Sequence, residues 1–244
     1  VNPIEDIEVI NLELILADLQ MTENSLRKIE KQAKRNKELL PSVNLLKKVL
    51  DHLNKNEPVS SLSLSKEEKE ALKLYHFLTN KKVIYAANIA EDDLQTLDNP
   101  HYKKVLEYAS KENNQVIPIS AKLEEELSGL DEAEAKEYLD SLGLKEQGLT
   151  RLIKVGFETL GLITFLTTGK QETRAWTVEK NAPANEAAGK IHTDIQKGFI
   201  RAEVVSMEDI VSYNGRLGAK EAGKARAEGK EYPVKDGDVI LFFH

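Results

Sequence analysis

Two short segments of this 244-residue chain carry groups that could hold a flat heteroaromatic ligand. Asn88-Ile89-Ala90-Glu91 follows the apolar run Val83 to Ala87, and Ser120-Ala121-Lys122 follows Val116 to Ile119. An asparagine amide has donors and an acceptor in one plane, so Asn88 can donate to a purine N7 and accept from the amino group on C6. Glu91 adds an acceptor-only carboxylate, and Ile89 offers an apolar wall to the base. Ser120, Ala121 and Lys122 present backbone N–H groups just past a strand, the end at which open α/β sheets bind ligands. Asn88, Ile89, Glu91, Ser120, Ala121 and Lys122 are therefore the expected nucleotide-binding residues. The sequence nominates no catalytic residue and no metal ligand.

In guanine-nucleotide proteins the matching loops read N-K-x-D and S-A-K, and the Asp carboxylate accepts from guanine's N1–H and N2 amino group. Here Ile89 stands at the lysine position, and Glu91 is one methylene longer than Asp. Adenine has an acceptor at N1, which a carboxylate would repel, whereas Asn88 can still serve N7 and the C6 amino group. The loop leans toward ATP over GTP. Phosphate chemistry needs G-x-x-x-x-G-K-[ST], whose backbone cradles phosphates and whose hydroxyl holds Mg²⁺. Gly218 to Ala225 approaches that pattern but puts Ala225 at the hydroxyl position, with no apolar strand before it and no apolar helix after it. It reads as a Gly-rich basic surface loop. No P-loop precedes Val83, and the chain enters a helical pattern from its first residues. The expectation is a chain with a base pocket and accessory domains but without the phosphate-binding machinery, inactive as an ATPase by itself.

The elements that must place these loops follow from periodicity. Pro3 to Leu40 reads as one helix, with Ile7, Ile10, Leu14 and Ala17 on one face. Leu19, Thr22, Leu26, Ile29, Ala33, Asn36 and Leu40 then form a coiled-coil-like seam that Pro41 is expected to end. Val43, Leu46, Leu50 and Leu53 mark a second helix, so a short connection predicts an antiparallel hairpin. Ser65 and Glu68 have capping-box spacing and predict a third helix to about Thr79. Lys82 to Ala87 and Val116 to Ile119 read as buried parallel strands around a helix from Pro100 to Lys111. Glu124 to Glu126 and Asp131 to Asp140 fit solvated helical faces, and Leu149 to Leu160 a further helix. From Gly161 the pattern changes to strands at 162–166, 174–178 and 199–205, a helix after Pro183, a Ser206-capped turn of helix, and a closing strand at 239–243.

Hydrophobic residues make up 41% and charged residues 31%, ordinary for a globular protein. No apolar run approaches the roughly 20 residues that span a bilayer. There is no cysteine, hence no disulfide framework, and the five histidines are scattered. These features fit a cytoplasmic protein without a membrane partner. The net charge of −7 is uneven: residues 161–244 hold 12 basic and 12 acidic side chains, so the whole excess lies upstream. Any nucleic-acid contact must then be a local basic patch, since global attraction is absent. Lys190, Arg201, Lys220, Lys224 and Arg226, with Trp176, Phe199 and Tyr213 interleaved, are the candidates for RNA or ribosome contact.

The segments Ile7–Leu19 (IEVINLELILADL), Val83–Leu94 (VIYAANIAEDDL), Arg174–Val204 (RAWTVEKNAPANEAAGKIHTDIQKGFIRAEV) and Gly218–Ile240 (GAKEAGKARAEGKEYPVKDGDVI) resemble signatures of the YchF or Obg-like ATPase family. The resemblance spans essentially the whole chain and implies an α/β plus α+β fold in three parts. These are a P-loop nucleotidase core, present here as residues 1–18 and 81–160, an inserted antiparallel helical coiled-coil domain at 19–80, and a β-grasp TGS domain at 161–244. It also implies an ATP-preferring hydrolase that binds ribosomes, with ATP and Mg²⁺ as ligands and the Mg²⁺ ligands upstream of Val1. Asn88, Ile89 and Glu91 map onto the family's N-x-x-E base loop, and Ser120 to Lys122 onto its last nucleotide loop. A second reading, from a different function class, is a non-enzymatic ribosome- or RNA-binding module made of the hairpin and the tail domain. Oligomeric state is not legible.

Overall fold

The computed structural model describes residues 2–169 and 172–244, and the chain separates into two compact units, Val1–Leu149 and Thr150–His244. In the first, helix α1 (Pro3–Ala33) starts with proline in its first turn, where a missing N–H is harmless. Its buried face is Ile15, Asp18, Thr22, Leu26 and Ala33. From Thr22 to Ala33 this is the expected seam, but Asn36 and Leu40, expected to continue it, lie past the helix end and are exposed. Upstream the expected face fails: Ile10 is 59% exposed and Ala17 is exposed. That end of α1 lies beside the helix Pro100–Lys111, where Asn11 Nδ2 donates to the Tyr108 hydroxyl at 3.3 Å.

The expected helix end at Pro41 is also corrected. α1 stops at Ala33, and Asn36 caps a 3₁₀ turn (Lys37–Leu39) by accepting from Glu38 N–H at 3.0 Å. Helix α2 (Leu40–Leu53) then begins with Pro41 in its own first turn. Proline is compatible with either role, and the asparagine cap decides between them. α2 folds back along α1 and buries Val43, Leu45, Leu46, Val49 and Leu53, while Lys47 reaches Glu30 at 2.9 Å.

Helix α3 (Lys66–Leu72) opens on the expected Ser65–Glu68 capping box but ends well before Thr79. After a 3₁₀ turn at Lys73–Tyr75, His76 takes a left-handed φ of 50°. Asp18 explains the stop. Its carboxylate, on a residue 1% exposed, accepts from Leu78 N–H at 2.9 Å, Thr79 N–H at 2.8 Å and the Thr79 hydroxyl at 2.7 Å. A continuing helix would have turned those amides toward residues 74 and 75.

Strand β1 (Ile84–Asn88), helices α4 (Glu91–Thr96) and α5 (Pro100–Lys111), strand β2 (Gln115–Ile119), and helices α6 (Ala121–Ser128) and α7 (Glu132–Ser141) follow. β1 and β2 pair in parallel, with Asn88 opposite Ile119. The expectation that β1 is buried is corrected: Ala86 and Asn88 are exposed and the rest half-buried. Among the described residues its sheet has two strands, so one edge of β1 is unpaired. Leu94, Leu123, Leu127, Ala135 and Leu139 form a separate cluster under α4, α6 and α7.

Helix α8 (Gly148–Leu160) leads to the second unit. Its five strands are β3 (Leu162–Thr168), β4 (Thr173–Glu179), β5 (Arg201–Ser206), β6 (Arg226–Glu228) and β7 (Asp238–Phe243), in the order β4-β3-β7-β5-β6. The pair β3–β7 is parallel and the others antiparallel. Helices α9 (Ala184–Ile191), α10 (Thr193–Lys197), α11 (Met207–Ser212) and α12 (Arg216–Glu221) fill the connections. Phe165, Val178, Ala202, Val204, Ile240 and Phe242 share a core with Ala184, Ala187 and Ala188 of α9. Strand alternation therefore turns Arg201, Glu203, Leu241 and Phe243 to the opposite face. The strand expected from Phe199 starts at Arg201, and Phe199 itself is buried in that core. No helix among the described residues is long and apolar enough to cross a membrane.

Candidate functional site

The two loops nominated from sequence meet at the C-terminal ends of β1 and β2. Asn88 Oδ1 accepts from Ala121 N–H at 3.1 Å, and Ile89 N–H donates to the Ile119 carbonyl at 2.9 Å. The amide of Asn88 is thus fixed by one lone pair. Its second lone pair and its Nδ2 donors have no protein partner among the described residues, and the residue is exposed. Those are the groups a purine edge needs.

The remaining residues divide into facing and supporting roles. Ser120 is 4% exposed, and its hydroxyl caps α6 by accepting from Leu123 N–H at 3.5 Å, so it shapes the loop. Ala121 and Lys122 are exposed, with Lys122 Nζ 3.7 Å from the Glu126 carboxylate one turn along. Ile89 is half-buried against the α4–α6–α7 cluster. Glu91 is the first residue of α4, where a carboxylate is favoured by the helix dipole.

Two supporting residues went unread in the sequence. Glu124 accepts from Gly148 N–H at 2.7 Å and Leu149 N–H at 3.3 Å, capping the start of α8. A side chain on Gly148 would place its Cβ 2.8 Å from Ile119 Cγ1, too close without displacement of the residue that carries the loop. A contact across 24 residues leaves no local signal. Among the described residues no three His, Asp or Glu side chains come together in a way that could hold a metal ion.

The cationic candidates of the second unit are not one patch. The stretch expected as a loop is helix α12 up to Glu221: a Cβ on Gly218 would overlap the Tyr213 carbonyl oxygen, and Gly223, at φ +72°, follows the helix end. Glycine is required there for close packing and a left-handed turn. Glu203, 5% exposed, meets Arg216 Nη2 at 2.5 Å and Lys220 Nζ at 3.0 Å. Hydrogen bonds from Arg216 and then Lys220 hold its carboxyl below the usual range. The four-residue spacing of Arg216 and Lys220 on one helix face is the signal that could have found this cluster. Lys224 lies 3.8 Å from Asp209. Arg226 donates to the Tyr232 hydroxyl at 3.1 Å, and that hydroxyl donates to Asp238 at 2.9 Å. Burial, then the bond to Asp238, pushes the Tyr232 phenol up to about 12. Lys190 is on α9, whereas Arg201 is on the other side of the sheet, its guanidinium 4.0 Å above the Phe243 ring.

Residues 162–244 match a family model named YchF-GTPase_C, described as "Protein of unknown function (DUF933)". The chain is 47% identical over 243 residues to the ribosome-binding ATPase YchF of Escherichia coli O157:H7, covering 99% of this chain and 66% of that protein. It is 45% identical over 244 residues to the ribosome-binding ATPase YchF of Bacillus subtilis, covering 99% and 67%. The chain thus spans about two thirds of the length of these relatives. The structure of the Schizosaccharomyces pombe YchF GTPase superposes with a TM-score of 0.84 at 31% identity, over 100% of this chain and 66% of that one. A GTP-binding protein from Pyrococcus horikoshii OT3 shares the fold, with a TM-score of 0.61 at 23% identity over 99% of this chain and 72% of that one. By identity and coverage together, the chain belongs to the YchF family.

Proposed function

We propose that the chain is the base-reading and accessory part of a ribosome-associated protein that binds and hydrolyses ATP. In this reading residues 1–18 and 81–160 belong to a P-loop nucleotidase core, 19–80 form an inserted helical coiled-coil domain, and 161–244 form a TGS domain of β-grasp type. The relatives' names, ribosome-binding ATPase and GTPase, agree with the general class. The observation that carries the reading is the Asn88–Ala121 hydrogen bond, which joins the two loops and leaves an amide edge available. Asn88 donates to adenine N7 and accepts from the C6 amino group, Ile89 bounds the base, and the Ala121 and Lys122 backbone supports it. ATP supplies the phosphates. The Lys and hydroxyl that would hold them and Mg²⁺ are supplied by a P-loop, which none of the 244 residues provides. The chain by itself is accordingly an inactive ATPase in this reading.

Base choice is the direct test. With a P-loop restored upstream, ATP should bind more tightly than GTP. Ile89→Lys combined with Glu91→Asp should move the preference toward GTP, because a shorter, correctly placed carboxylate accepts from guanine's two donors. A polar group left unpaired costs roughly 1–3 kcal/mol, so the ratio should move by about tenfold or more. Isothermal titration with both nucleotides gives the ratio directly. Equal affinities before and after the exchange would mean that this loop does not read the base.

A further inference from the structure

We propose that Glu124 is a positioning residue for the base site: by gripping the first turn of α8 it fixes the backbone N–H groups that support the base. This role rests on the adenine-binding reading and adds to it a residue that never touches the ligand.

In that reading the base rests on the start of α6, at Ala121 and Lys122, and both residues are exposed. A helix start leaves its first N–H groups without intrahelical partners, so their direction depends on what holds the first turn. Ser120 holds it from in front, through the 3.5 Å bond from Leu123 N–H. Glu124 holds it from behind. Its N–H donates to the Ser120 carbonyl at 3.0 Å, which closes the first turn of α6. Its carboxylate accepts from Gly148 N–H at 2.7 Å and Leu149 N–H at 3.3 Å. One half-buried residue thus ties the turn that carries the base support to a helix start 24 residues away. Both ends gain from the contact. The orphan donors of α8 meet a carboxylate at the positive end of that helix, and the first turn of α6 acquires an anchor outside itself.

Packing holds this latch in one position. Gly148 is buried at the start of α8 and lies against Ile119, the last residue of β2. A Cβ on it would come 2.8 Å from Ile119 Cγ1 and 2.9 Å from the Glu124 carboxylate. The Ile119 carbonyl accepts from Ile89 N–H at 2.9 Å, so the residue that Gly148 abuts also joins the two loops. Displacing the start of α8 therefore disturbs both. A carboxylate that only capped α8 would leave base affinity untouched when removed. A carboxylate that positions the base support obeys linkage instead. A bound base must then strengthen the Glu124–Gly148 contact by the factor by which losing that contact weakens the base.

The test uses the whole chain, isotope-labelled and titrated with ATP well below its melting transition. Glu124→Ala should raise the half-saturation concentration, read at the Asn88 side-chain amide and the Lys122 backbone amide, by about fivefold. The rise should be the same with GTP, because support is lost rather than base reading. Glu124→Gln keeps an acceptor of the same reach and should recover most of the loss. Gly148→Ala forces the same contact apart from the other side and should resemble Glu124→Ala. Tyr138→Phe removes a bond to the same helix through exposed Glu126 and should change little. In the wild type, hydrogen exchange at Gly148 and Leu149 N–H should slow by about fivefold on saturation with ATP. Unchanged half-saturation in a folded Glu124→Ala chain, or exchange at Gly148 that ignores ATP, would overturn the role and leave Glu124 a cap of α8. Should Glu124→Ala fail to fold, the wild-type exchange measurement decides alone. Asn88→Ala separates this from the broader reading. If that variant binds ATP like the wild type, the base reading falls. If it loses ATP while Glu124→Ala binds normally, the base reading stands and the positioning role falls.

Discussion

Replacing Asp18 with alanine should lower the melting temperature of the first unit by about 10 °C. Asp18 is 1% exposed, and its two oxygens take three hydrogen bonds from Leu78 and Thr79, some 60 residues away. Alanine leaves the part-buried backbone N–H groups of Leu78 and Thr79 without their acceptor, each costing about 1–3 kcal/mol, and opens a gap where the buried carboxylate stood. The sum is about 3–5 kcal/mol. Thr79 also receives Val59 N–H on its hydroxyl at 3.0 Å and Ser60 N–H on its carbonyl at 3.2 Å, so the loop at 58–61 loosens with it. Asp18→Asn keeps the shape and one acceptor but aims an NH₂ at a donor, and should recover only part of the loss. Circular dichroism melts at 222 nm read the effect. A shift of less than about 2 °C for Asp18→Ala would mean that the carboxylate is replaceable by water.

The second large effect concerns Glu203. Arg216→Ala together with Lys220→Ala leaves a buried carboxylate without a cation, a change that typically costs about 3–5 kcal/mol. Trp176, the one tryptophan of the chain, lies in this unit against its core, so its fluorescence reports the unit's unfolding within the intact chain. The transition should fall by more than about 10 °C. The pH dependence has a defined sign. Because the folded carboxyl titrates below its unfolded value, the stabilisation is fully present above about pH 4.3 and is lost as pH falls through the depressed folded value. Glu203→Gln should flatten that acid limb. If the double variant melts like the wild type at pH 7, Glu203 is solvated and the ion cluster is incidental. The same cluster means that Lys220→Ala tests stability as much as any ribosome contact.

Local signals in the sequence were legible where the physics is local. Ser65 with Glu68, Pro100 at a helix start, Ser206 as a cap and the alternation of β3 and β4 all act within a few residues, and each appears where its pattern places it. The neighbourhood of Asn88 and Ala121 was legible for a related reason: parallel strands joined by a helix bring the two strand ends together. Proline at 41 was ambiguous, because a helix can end before it or begin with it, and Asn36 settles the matter with one hydrogen bond. What distance hides is Asp18 against Thr79, Glu124 against Gly148, and Glu203 against α12. In each case a polar side chain answers backbone or charge brought close by the fold. The exposed lysines of the Gly218–Arg226 stretch looked available for a partner, yet burial of one glutamate ties up Lys220. Segments as short as β6, α10 and α12 carry too few residues for a period to show.

In the proposed function the paired loops after β1 and β2 hold an adenine base. An isotope-labelled chain titrated with ATP and, separately, GTP gives the most direct answer, read at the Asn88 side-chain amide and the Ala121 and Lys122 backbone amides. These resonances should move with ATP, and at lower concentration than with GTP, while the amides of α12 stay still. If those resonances remained fixed in ATP, or responded more strongly to GTP, the loops would not be an adenine site.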